Sequence, residues 1–194
     1  MWAGYRLDGF FVTQKGVEFL AGKEDFDALW RTGVCDVVHA YRVLPVQVLE
    51  PIKERAALLR ELKLAMQALV AGIGAATHCA ECGGECCVAG KYHFAKIDLL
   101  VYLVEQKPLF APLFGNGLCP YLAPAGCLIE PAYRPFNCIT FNCERIEDLL
   151  SEEDLAGFYR MERELRRVYG EIRSLFTDDS MHGAVLADSP AKHP

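Results

Sequence analysis

Nine cysteines occur in 194 residues; eight of them fall between Cys79 and Cys143, and Cys35 stands apart. The first group, HCAECGGECCVAG, supplies Cys79, Cys82, Cys86 and Cys87, and the second, CPYLAPAGCLIEPAYRPFNCITFNC, supplies Cys119, Cys127, Cys138 and Cys143. In a CxxC turn two sulfurs can converge while local backbone N–H groups point at them, which stabilises thiolates and hence a metal bond. Gly83 and Gly84 ease that close backbone approach. Cys86 and Cys87 are adjacent, and neighbouring side chains diverge in most backbone conformations, so one of the two can belong to a different ligand set. Eight thiols suffice for two four-thiolate sites, or for one site with spare thiols, and the spacing fits both. Zinc and iron–sulfur clusters both accept thiolates, so the expected cofactor is an iron–sulfur cluster or zinc, with all eight cysteines as candidate ligands.

Plainer accounts of these residues fit less well. Cysteine is often buried without chemistry, but that does not account for a CxxC, a vicinal pair and eight members in one span. Cys35, beside Val34 and close to Val37 and Val38, does fit core packing. The N-terminus, MWAGYRLDGFFVTQKG, carries Arg6, Asp8 and Lys15 and no apolar run of secretory length, so the expected compartment is cytoplasmic, where thiols stay reduced. Thiolates gathered on one ion carry excess negative charge and need hydrogen-bond donors around them. Arg134 is a candidate donor; an ordinary ion pair with Glu130, Glu144 or Glu147 is the other reading. His78 and His93 could each replace a thiolate on zinc, but both fit better as outer partners or surface residues. Tyr92, Tyr121 and Tyr133 read as walls of the site, and no catalytic residue can be nominated.

The ordered segments CAECGGECC, CPYL, CLIE and RPFNC resemble the cysteine-cluster (CxxCxxCC) family of zinc- or iron-chelating domains. In that family the signature is followed by a CPFL-like element, a C-x-I-Y-like element and RPxxC. Here three residues separate Cys82 from Cys86 where the family has two, and the CLIEPAYRP stretch is longer. The resemblance runs from Cys79 to Cys143 and implies metal or iron–sulfur binding. Some relatives with a broader chain are flagellin lysine methylases, which implies an alternative: a cluster-dependent enzyme performing a redox or methyl-transfer reaction.

The elements that must position these loops read as helices. A short helix is expected over Asp25 to Arg31 and an extended run over Val43 to Leu49. Glu50-Pro51 then opens a long amphipathic helix, 51–76, with Leu58, Leu62, Met66, Leu69 and Ile73 at steps of three and four. A further helix over Phe94 to Lys107 separates the cysteine groups, and Pro108 stops it. Ser151 followed by Glu152, Glu153 and Asp154 starts a helix over 151–176, whose stripe is Phe158, Met161, Leu165, Val168, Ile172 and Leu175. That seam packs on the 51–76 helix, or alternatively on a second copy of the chain as a homodimer. The expected fold is mainly α: one domain over 1–176 with an irregular, cysteine-rich metal-binding core at 78–145, then a mobile tail over 177–194.

Composition narrows the partners. A net charge of -6 disfavours nucleic acid and acidic lipid, leaving a protein or small-molecule partner. Arg160, Arg163, Arg166, Arg167 and Arg173 alternate with Glu162, Glu164 and Glu171, the pattern of a solvated, salt-bridged face. Pro108 to Ile129 is uncharged but carries four prolines and three glycines, so it cannot span a membrane and must pack inside protein or around a site. Gly72 and Gly74 end a helix, which suits close helix packing rather than a phosphate-binding loop.

Overall fold

Apolar residues spaced at three and four make two long helices the frame of the molecule. The computed structural model describes residues 5–7, 10–13, 16–19, 25–81, 90, 92–115, 119–123 and 126–186. Its helices are α1 Phe26–Arg42, α2 Val46–Gly72, α3 Ala75–Glu81, α4 Lys96–Val104, α5 Phe136–Thr140, α6 Glu144–Glu147 and α7 Glu152–Ser174. The fold is mainly helical. Strands β1 Tyr5–Leu7, β2 Phe10–Thr13 and β3 Gly16–Phe19 form an antiparallel sheet ahead of α1. A short hairpin pairs β4 Leu122–Ala123 with β5 Gly126–Cys127.

Helix α7 begins where Ser151 Oγ accepts the Asp154 N–H at 3.1 Å, with three carboxylates in its first turn facing the positive end of the helix dipole. Its buried stripe is Phe158, Leu165, Val168, Tyr169 and Ile172, and its main partner is α2, as the seam predicts. Arg55, early in α2, pairs with Glu171, late in α7, while α3, after α2, touches α6, before α7. The two long helices therefore run antiparallel.

Four expectations are corrected. The run Val43 to Leu49 is not extended: the Pro45 carbonyl accepts from Val48 and Leu49 and starts α2 there, so Pro51 lies inside the helix. The 51–76 helix ends earlier, at Gly72, because Gly74 adopts φ +69°, which breaks the helix before α3. The turn needs that glycine for its backbone. A Cβ on Gly72 or Gly74 would meet nothing within 4 Å, so neither serves close packing. Helix α1 continues to Arg42, well past Arg31, because Trp30, Gly33 and Val37 carry the buried stripe onward.

The expected mobile tail also departs from what is found as far as Leu186, because its apolar residues have somewhere to go. Met181, Val185 and Leu186 are buried; the Val185 N–H donates to Phe94 O at 2.8 Å, and the Lys96 N–H donates to Gly183 O at 3.1 Å. This strap crosses α1 so closely that a Cβ on Gly33 would lie 2.1 Å from the Val185 carbonyl oxygen. Residues 187–194 lie outside the described set.

Helix α4 sits at the centre, touching α1, α2 and α7, and is buried on nearly every side. The buried line of α2 runs Ile52, Ala56, Leu59, Lys63, Met66 and Val70; of the expected face it keeps Met66, while Leu58, Leu62, Leu69 and Ile73 are half-buried. This line places Lys63 in the core, opposite Asp98 of α4. Among the described residues no helix is long and apolar enough to cross a membrane.

Candidate metal centre

An aromatic cluster carries the loops that bear the second cysteine group. Trp30, Phe94, Phe110 and Tyr121 lie with ring centroids 5.5 to 6.1 Å apart, and Tyr102 adjoins Phe94 and Phe110 at 5.8 and 5.9 Å. Phe94 fixes the chain beside His93, Phe110 fixes the proline-rich segment, and Tyr121 fixes the turn after Cys119. Within the uncharged stretch, Phe110 and Tyr121 pack in this cluster, while Pro108, Ala111, Leu113 and Gly115 are exposed. Backbone bonds complete the hold: Leu113 N–H to Pro120 O at 2.7 Å, Leu122 N–H to Cys119 O at 3.0 Å and Leu128 N–H to Tyr121 O at 2.7 Å.

Cys119 is buried, and its sulfur accepts the Tyr121 backbone N–H. Burial pushes its thiol pKa up, the Tyr121 donor opposes that, and charge on the nearby Cys127 adds to it. Cys127, on β5, is exposed and pairs in register with Leu122, so the hairpin brings these two cysteines together. Cys138 sits in α5, its N–H donating to Pro135 O at 3.0 Å; it is exposed, with Sγ 3.4 Å from His93 Nδ1. Cys143 is half-buried at the N-cap of α6. Among the described residues no three His, Cys, Asp or Glu side chains form a ready set of metal ligands. Cys82, Cys86 and Cys87 lie outside the described residues, as does the side chain of Cys79.

The segment following the first group is nevertheless docked on the second. Gly90 lies so close to Cys119 that a Cβ there would be 2.6 Å from its sulfur, and three residues later His93 meets Cys138. From Cys87 to Gly90 the chain is three residues long and spans at most about 11 Å. That bound concerns Cys87 alone, since Cys79 and Cys82 lie farther from Gly90 along the chain. Burial lowers the His93 pKa and favours its neutral form. Asn142 Nδ2, next in sequence to Cys143, is buried with no partner among the described residues, a spare donor of the kind a thiolate-rich centre uses.

Other residues fall elsewhere than expected. Arg134 pairs with no glutamate among the described residues: its Nε donates to Ile129 O at 3.3 Å and its Nη1 to Gln67 Oε1 at 2.9 Å, pinning the loop to α2. Tyr133 lies under Arg60 and Lys107, and its hydroxyl donates to Glu105 at 2.7 Å, so it anchors a surface charge cluster rather than walling a metal. Tyr92 is exposed, and His78 is 3.9 Å from Glu81 on the surface of α3. Cys35 is exposed, because it lies opposite the Trp30–Gly33–Val37 face of α1. The arginine-rich face of α7 forms the expected ion pairs, Arg166 with Glu162 and Arg167 with Glu164 and Glu171.

Sequence reading missed one buried cluster. Lys63 Nζ is 3.4 Å from Asp98 Oδ1, the Tyr169 hydroxyl donates to the same oxygen, and the Ala95 N–H donates to Oδ2 at 3.0 Å. Burial pushes the Lys63 ammonium down and the Asp98 carboxyl up, and each partner's charge opposes the other's shift. The Cys138 sulfur also acts on Lys63, so this cation lies within electrostatic reach of the cysteine loops. The signal was present: a lysine on the apolar stripe of α2 and an aspartate inside the otherwise apolar KIDLLVYLV. Compared with protein families, curated proteins and solved structures, the chain matches none.

Proposed function

We propose that this protein binds zinc or an iron–sulfur cluster through cysteines drawn from both groups, gathered into one centre at the edge of the helical frame. The observation that supports this is the docking of Gly90 against Cys119 and of His93 against Cys138. Separate zinc clamps would not need the end of the first group to be held on two cysteines of the second. Cys119, Cys127 and Cys138 are the ligands best supported in the second group, and Cys79, Cys82, Cys86 and Cys87 supply the remainder. The metal adds folding free energy to loops with little regular structure of their own. The alternative, a cluster-dependent redox or methyl-transfer enzyme, draws on the exposure of Cys127 and Cys138, since a metal held by either sulfur would be open to solvent.

The test is metal and acid-labile sulfide content, with an absorption spectrum, on protein purified without oxygen. Iron with sulfide assigns a cluster, and stoichiometric zinc without sulfide assigns a thiolate clamp. Either is accompanied by a fall in melting temperature on chelation. A folded protein that holds no metal, takes none up and melts unchanged with chelator overturns the reading.

A further inference from the structure

Two donors on one tetrahedral ion, with bonds of about 2.3 Å to sulfur and about 2.0 Å to nitrogen, stand about 3.5 Å apart. Cys138 Sγ and His93 Nδ1 are 3.4 Å apart, although 45 residues separate them in the chain. Both are held from outside the pair. The His93 N–H donates to Gly90 O at 3.0 Å, and the next residue, Phe94, is fully buried and receives the Val185 N–H of the C-terminal strap. Cys138 is fixed by α5, which packs against α2 and α7. The spacing of the two donors is thus set by the fold and is already that of two neighbouring ligands.

We propose that His93 binds the metal through Nδ1, so that the centre is a mixed thiolate–imidazole site in which Cys138 and His93 take two positions. This rests on the metal-binding reading above. Replacing one thiolate by a neutral imidazole removes one negative charge from the ligand set, which lessens the need for a surrounding cation. That agrees with Arg134 being engaged with Ile129 and Gln67. The competing account of the same distance is a hydrogen bond between imidazole and sulfur with His93 off the metal.

Cobalt(II) separates the two, because its ligand-field bands move with the number of nitrogen and sulfur ligands. The full chain, stripped of metal, is titrated with cobalt(II) as wild type, His93→Ala and His93→Cys, with far-ultraviolet circular dichroism confirming the fold of each. The proposal expects His93→Ala to bind cobalt more weakly by more than the about 10- to 100-fold loss that removing an outer partner causes, with altered ligand-field bands. It expects His93→Cys to restore binding with bands moved to the all-thiolate position. Wild-type and His93→Ala spectra with the same bands, whatever the affinity, overturn the proposal and leave the metal-binding reading standing. Wild-type protein that takes up neither cobalt nor any metal overturns both.

Discussion

The helical frame and the cysteine-bearing loops are built on different principles. In the frame, α2, α4 and α7 place Leu59, Leu100, Leu165 and Ile172 by periodicity, and three helices share the buried Lys63–Asp98–Tyr169 cluster. In the loops, position comes from a few long-range backbone bonds, five aromatic rings and the 3-10 turn Pro131–Tyr133 seated on α2. The loops hold Cys119 against Gly90 and Cys138 against His93 and leave Cys127 and Cys138 exposed. The difference teaches where a bound metal would act: on loop order far more than on the helices.

The largest effect is expected where the frame buries charge. Lys63→Met leaves the Asp98 carboxylate in the core without its cation, a change that costs about 3–5 kcal/mol, read by urea denaturation. Adding Asp98→Asn, whose amide oxygen can accept the Ala95 N–H while its Nδ2 donates to the Tyr169 hydroxyl oxygen, should recover most of that loss. A double variant no more stable than the single one would show that packing around Lys63, not its charge, matters.

Two glycines then make the same steric test in the two regions. A Cβ on Gly33 would meet the backbone oxygen of Val185, which can yield only by moving the strap. Gly33→Ala should therefore cost about 1–3 kcal/mol, the range for overpacking, and the Val185 and Lys96 amides should lose hydrogen-exchange protection. On Gly90 the Cβ would meet the Cys119 sulfur instead, the end of a side chain that can turn. Gly90→Ala should cost about 1 kcal/mol but lower bound metal per folded molecule. Equal stability losses, or unchanged metal content in Gly90→Ala, would erase the distinction between frame and loops.

Legibility follows the same division. The α2–α7 seam, the Ser151 cap and the helix between the cysteine groups were readable because periodicity and capping are local signals. Lys63 was not, since a lysine on an apolar stripe reads as a solvated interruption until Asp98 is seen across from it. The strap reads as a tail because Met181, Val185 and Leu186 have no period, and the close approach of Val185 to Gly33 joins positions far apart in the chain. In the candidate centre, cysteine identity pointed to the chemistry. The His93–Cys138 pair is a contact across 45 residues that no spacing rule contains.

The smallest effect is expected where loops meet frame. Tyr133 packs on α2 through its turn, its ring lies 4.8 Å from Lys107 Nζ, and its hydroxyl donates to Glu105, whose carboxylate also takes Arg60. Burial and the Glu105 carboxylate push its pKa up to about 12. A phenol whose native pKa exceeds the unfolded value of about 10 binds more protons when folded, so its contribution is full below that value and is lost as pH rises towards 12. Tyr133→Phe should thus cost about 0.5–1 kcal/mol at neutral pH, and the gap to wild type should narrow from about pH 10 upward. If the gap stays constant in urea titrations up to pH 11.5, about where native Tyr133 begins to ionise, the ring over α2, rather than the hydroxyl on Glu105, is what ties the loops to the frame.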